Sequence, residues 1–70
     1  MEYEKHLYIT GSSSVSWKDA IVKSVIEASK SIDYLKNVQV LKQYGDISGN
    51  KITTYHVDLD ISFIIDSSRT

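Results

Sequence analysis

Seventy residues with a formal net charge of −1 and no cysteine read as one small domain spanning 1–70. Disulfides and thiolate metal sites are excluded, the charge balance offers no basic stripe for nucleic acid, and no apolar run approaches the roughly 18 residues of a membrane span. A chain this short buries only about 60% of its unfolded surface, so a lone core is marginal and self-association is the expected supplement. Glu2 and Glu4 stand where a signal peptide would carry apolar residues, which points to the cytoplasm. Residues 3 to 10 read as a first strand, with Leu7 and Ile9 on one face and Glu4, His6 and Tyr8 on the other. Gly11 and the serines Ser12 to Ser14 break it. Ser16 is the expected helix N-cap, with Asp19 three residues on in the manner of a capping box.

The following segment carries an apolar stripe at helical spacing: Trp17, Ile21, Val25, Ala28, Ile32 and Leu35. Asp19 and Lys23 form a favourable i,i+4 pair on the far side, and Val22 with Ile26 makes a second apolar pair away from the stripe, available to a neighbouring subunit. The helix is expected to stop between Tyr34 and Asn37, with Asn37 as the stop residue. A second strand is expected over about Val38 to Ile47, its phase blurring from Leu41 to Gly45, with a bulge or bend at Gly45. Ser48-Gly49-Asn50 is the turn of a hairpin, and the third strand runs from Lys51 to about Asp66. In it Tyr55, Val57, Leu59, Ile61, Phe63 and Ile65 alternate with His56, Asp58, Asp60 and Ser62, Ile64 being the one exception. The tail from residue 67 to 70 is expected to fray.

The order β-α-β-β implies an α+β subunit. A right-handed crossover leaves a gap between the first two strands, and the long third strand fills it antiparallel to both. One helix covers one face of the three-stranded sheet. The other face has no cover within the chain, and a second copy is the expected partner, a solvated face being the alternative.

Several segments together resemble the dodecin family, from about Lys5 to Asp66. They are Thr10-Gly11-Ser12-Ser13, Ser16-Trp17-Lys18-Asp19-Ala20, Glu27-Ala28-Ser29-Lys30, and the hairpin ending Tyr55-His56-Val57-Asp58-Leu59-Asp60-Ile61-Ser62-Phe63. The resemblance implies a β-α-β-β subunit assembled into a hollow twelve-subunit shell. It also implies flavin as the cofactor, bound at subunit contacts and stored without catalysis. Four family site positions map here onto Asn37, Tyr44, His56 and Ile64. In flavin-binding members a tryptophan stacks on the ring where Asn37 stands, and a glutamine bonds the ring edge where His56 stands. Arginines that could meet flavin phosphate stand at the positions of Tyr44 and Ile64. Asparagine, tyrosine and isoleucine do not reproduce stacking or bidentate phosphate recognition, so flavin binding in the stacked mode is expected to be weak or absent.

Each of these residues also has a simpler reading. His56 is either a hydrogen-bonding contact to a planar ligand or a polar residue at a subunit contact. Tyr44 offers a stacking face or is a half-exposed strand residue, and Ile64 reads as an interface aliphatic. Asp58 and Asp60, two apart on one strand face, could hold a hard cation, but the preferred reading is a solvated or interface pair, with no metal site. The serines near Gly11 lack a base partner, and no acid, base and nucleophile set converges, so no catalytic residue is assigned. The expected function is a non-enzymatic small-molecule storage shell with an altered flavin site. The alternative is a purely structural oligomer with no dedicated ligand.

Overall fold

The computed structural model describes residues 2–66, and the tail expected to fray lies outside them. Four elements follow in order: β1 (Glu2–Ser13), α1 (Trp17–Ser29), β2 (Leu35–Ser48) and β3 (Lys51–Asp66). The sheet order is β1-β3-β2, with β3 antiparallel to both neighbours. The central position of the last strand, and the β-α-β-β topology, are as the sequence implies.

Register sorts the side chains into two faces. On the helix side Leu7 lies opposite Ile61, Ile9 opposite Leu59, and Gly11 opposite Val57. Val57, Leu59 and Ile61 are at most 1% exposed and form the core with Ala20 and Ala28 of α1. The helix-free side carries His56, Asp58, Asp60 and Ser62 of β3 between Ser12, Thr10, Tyr8 and His6 of β1 and Tyr44, Lys42, Gln39 and Asn37 of β2.

The helix sits mainly over β1 and β3. Its buried line is Ala20, Ser24 and Ala28, of which only Ala28 belongs to the expected stripe; Trp17, Ile21 and Val25 of that stripe flank the line, partly buried against the core. Small residues let the helix approach closely, and Gly11 completes the approach: a Cβ there would lie 1.9 Å from Ser24 Oγ and 3.3 Å from the Ala20 carbonyl. Gly11 therefore does not end β1, which pairs on through Ser13 opposite Tyr55. The Ser24 hydroxyl donates to the Ala20 carbonyl at 2.7 Å, so its burial is compensated.

The helix begins as its residues suggest, with Ser16 Oγ accepting from the Asp19 N–H at 3.0 Å. Asp19 turns its carboxylate to the Ser13 hydroxyl and to Lys23 Nζ at 3.1 Å. It ends at Ser29, well before Tyr34. The amides of Ser31 and Ile32 both reach the Ala28 carbonyl, and Tyr34, at φ 60°, turns the chain into β2. The run Ser29–Asp33 is poor in strong helix formers. Leu35 belongs to β2 and pairs with Phe63, while Ile32 lies in the connection; their helical spacing continues a helix that has already stopped. Asn37 is accordingly a strand residue and not a helix stop.

β2 is irregular in different places from the expected one. Its register shifts between Leu35 and Asn37, between Val40 and Lys42, and between Asp46 and Ile47, whereas Gly45 pairs in step with Tyr55. Gly45 is small because of what surrounds it: a Cβ would meet Ile52 Cγ2 at 3.1 Å and Trp17 Cζ2 at 3.6 Å. Gly49 and Asn50, at φ 59° and 66°, close the two-residue hairpin turn with a left-handed backbone at both positions.

Candidate ligand-binding site

The four expected site residues lie on one side of the sheet but do not converge within one chain. Asn37 stands beside Ser62, its Oδ1 accepting from Ser62 Oγ at 2.7 Å. Ser62 is 1% exposed although no helix covers this face. Tyr44 and His56 are paired across strands at the hairpin end, six residues further along β3. At the usual strand rise that is about 20 Å from Ser62. Ile64, opposite Glu4, lies at the other end of β3, and its N–H donates to the Tyr34 carbonyl at 3.1 Å. A ligand touching all four positions therefore needs residues from more than one copy.

The hairpin end is the more elaborate part. The Tyr44 and His56 rings are stacked, centroids 4.9 Å apart and 18° from parallel. Lys42 Nζ lies 5.3 Å from the Tyr44 centroid, within cation–π range. His56 Nε2 is 2.8 Å from the Asp46 carboxylate. Beneath this group, on the helix side, Trp17 Nε1 donates to the Tyr44 carbonyl at 3.0 Å, and its ring meets Tyr55 edge-on at 4.7 Å. Trp17 thus anchors the helix start to the backbone that presents Tyr44.

Asp58 and Asp60 are held by β1: Thr10 Oγ1 donates to Asp58 at 2.9 Å, and His6 Nδ1 is 2.8 Å from Asp60. Among the described residues no three His, Asp or Glu side chains gather as metal ligands would. Two recesses adjoin the candidate positions. One, of about 190 Å³, is lined by Val25, Leu35, Val38 and Ile61 with Lys36 and Asn37 at its rim. The other, of about 290 Å³, lies between the Ser31–Tyr34 connection and Phe63–Ile65.

Sequence reasoning missed the Asn37–Ser62 bond and the roles of Lys42 and Asp46. Strand alternation alone places Lys42, Tyr44 and Asp46 on one face, but the extra residue at Leu41 obscures which face that is.

A model of the dodecin family matches residues 4–66. The chain belongs to the dodecin family. A variant of the Thermus thermophilus dodecin superposes with a TM-score of 0.89 at 22% identity, covering 96% of this chain and 100% of that one. The dodecin of Streptomyces davaonensis gives 0.86 at 21% identity, covering 94% and 97%. At these identities the likeness is one of fold. A calcium-chelating calcium dodecin from Mycobacterium tuberculosis, with a novel calcium-binding site, gives 0.79 at 28% identity and 97% of each chain. No curated protein sequence matches the chain. No helix among the described residues is long and apolar enough to cross a membrane.

Proposed function

We propose that this dodecin is a non-enzymatic small-molecule-binding or storage protein that works as a hollow homo-oligomer of twelve subunits in the cytoplasm, with its flavin-stacking site altered. The observation that carries the reading is Asn37. Family members with the flavin site place a tryptophan there, whereas here a short amide stands in its place and accepts a hydrogen bond from Ser62. The remaining positions support the same reading: Tyr44 and Ile64 carry no cation for a phosphate, and His56 already bonds Asp46. The non-enzymatic reading rests on the family; the two imidazoles pair with Asp60 and Asp46. Calcium storage of the kind named for the mycobacterial relative draws no support from the arrangement of acidic and imidazole groups among the described residues.

Riboflavin and flavin mononucleotide titrated against the pure protein should show no quenching of flavin fluorescence at micromolar concentrations. The double variant Asn37→Trp, His56→Gln should gain quenching by riboflavin. Tight quenching by the natural chain would overturn the altered-site reading. The alternative, an assembly with no dedicated ligand, draws on the same hydrogen bonds of Asn37 and His56 within the chain. Native mass spectrometry separates the two, because a storage shell carries a defined small molecule from the cell.

A further inference from the structure

On the helix side of the sheet, apolar surface that α1 leaves bare is gathered at two separate places. One is a recess. Between α1 and β2, Val25, Leu35, Val38 and Ile61 line a hollow of about 190 Å³. Val40 continues its floor along β2, exposed like Val38. Both valines face the helix side, because they pair with the core residues Ile61 and Leu59. The helix runs mainly over β1 and β3, so this margin of the sheet stays open.

The other place is a projection. β1 pairs with β3 only as far as Tyr55, while β2 follows β3 to Lys51. The end of the hairpin therefore stands beyond the third strand as a two-stranded tip. Ile47 and Ile52 lie opposite each other on it and are 72% and 41% exposed. A Cβ built on Gly45 would meet both Ile52 Cγ2 and Trp17 Cζ2, which sets Ile52, and Ile47 across from it, on the helix side. A two-stranded end is weak by itself, and an apolar pair on it stabilises only when covered.

We propose that the hairpin tip of one copy, through Ile47 and Ile52, seats in the recess between α1 and β2 of the next copy, so that subunits join head to tail in rings of three. The contact presupposes the homo-oligomer proposed for this dodecin and adds which two surfaces meet in it. A projection fits a recess of like chemistry, whereas tip against tip leaves the recess open and recess against recess apposes two hollows. An apolar cavity of about 150 Å³ already takes a benzene-sized group, so the recess accommodates an isoleucine side chain. Lys36 at its rim is paired with Glu4 at 3.1 Å, and seating the tip strands no charge there. The subunit exposes 5050 Å², about 650 Å² more than a compact monomer of its mass, and a standard interface removes about 800 Å² from each partner. A chain cannot fill its own recess, because Val38 and Ile47 lie about 30 Å apart along β2 at the usual strand rise. A contact between two different surfaces repeats until it closes a ring, and in a tetrahedral shell of twelve copies that ring is threefold.

The chain has no cysteine, so cross-linking reports introduced thiols alone. The double variant Val38→Cys, Ile47→Cys, assembled under reduction and treated with a short bis-maleimide, should give covalent dimers and trimers on a denaturing gel and nothing larger. Each single variant alone should give none, and the two single variants refolded together should stop at dimers. Val40→Cys with Ile52→Cys is the second pair, used if the first does not reach the natural assembly mass by light scattering. Ile47→Asp brings a charge to an apolar recess and should dissociate at a protein concentration roughly tenfold or more above that of the natural chain, whereas Ile47→Leu should not. Self-linking of a single variant, a ladder running past three, no linking by either pair within an assembly of natural mass, or unchanged dissociation of Ile47→Asp would each overturn the proposal. A natural chain of single-chain mass would instead overturn the oligomer itself, and this contact with it.

Discussion

At the scale of single residues, the closest-fitted position is Gly11. It holds no unusual backbone angle; its role is to let Ser24 and Ala20 approach β1. Gly11→Ala forces the helix away from the sheet or displaces the Ser24 hydroxyl, and overpacking of this kind costs about 1–3 kcal/mol. Thermal melting should show the loss, and adding Ser24→Ala should recover part of it, because the nearest clash is with Ser24 Oγ. Asp19 supports a prediction of a different kind. The Ser13 hydroxyl, and after it Lys23, hold its carboxyl below the ordinary 3.8. A group depressed in the folded state stabilises above its unfolded pKa, and that contribution is lost as pH falls through the folded value. Melting temperature followed from pH 5 into stronger acid should therefore fall less steeply for Asp19→Asn than for the natural chain.

At the scale of elements, the strands were the most legible. The alternation in β3 gave its two faces correctly, because period two leaves little ambiguity over so long a run. The helix was read in the right place and with the correct face toward the sheet, since Trp17, Ile21 and Val25 pack on the core and Ala28 lies in it, but the most buried line runs to one side of that stripe. Periodicity weights large apolar side chains, whereas the seam here is built of Ala20, Ser24 and Ala28, chosen for closeness and flanked by the larger residues. Its end was hidden because Ile32 and Leu35 keep the helical spacing while serving the connection and the sheet. Among the candidate site residues, the face of His56 was readable from the alternation of β3, but its pairing with Tyr44 was not: a two-residue turn in simple register sets Tyr44 opposite Tyr55, and the shift between Asp46 and Ile47 moves it to His56. The capture of Asn37 by Ser62 was not readable, because the register shift beside Lys36 sets which β3 residue Asn37 faces.

At the scale of the whole molecule, one subunit is a thin ribbon, 54 × 19 × 12 Å. Its radius of gyration is 14.6 Å, against about 11 Å for a compact domain of this length. It exposes 5050 Å², where a compact monomer of equal mass exposes about 4,400 Å². The excess is concentrated partly where the helix fails to reach: Val38 and Val40 of β2 are 38% and 39% exposed, and Val22 and Ile26 of α1 are 47% and 53% exposed. This favours sister copies over the helix side of β2, whereas the helix-free face carries its own hydrogen-bonded polar groups. Light scattering should give a mass far above the 7.9 kDa of one chain, about twelvefold if the proposed shell closes. A compact particle of single-chain mass, melting independently of concentration, would remove the oligomer from the proposal.

The two sides of β3 are not matched in length. β1 pairs along it without interruption, while β2 inserts an extra residue near Lys36 and another near Leu41. Surplus chain on one margin must be taken up as bending, much as a seam gathered along a single border curls the cloth. In a closed container the curl of each panel fixes how many panels complete the circumference. In the proposed shell those two insertions would link the local pairing of one margin to the size of the compartment.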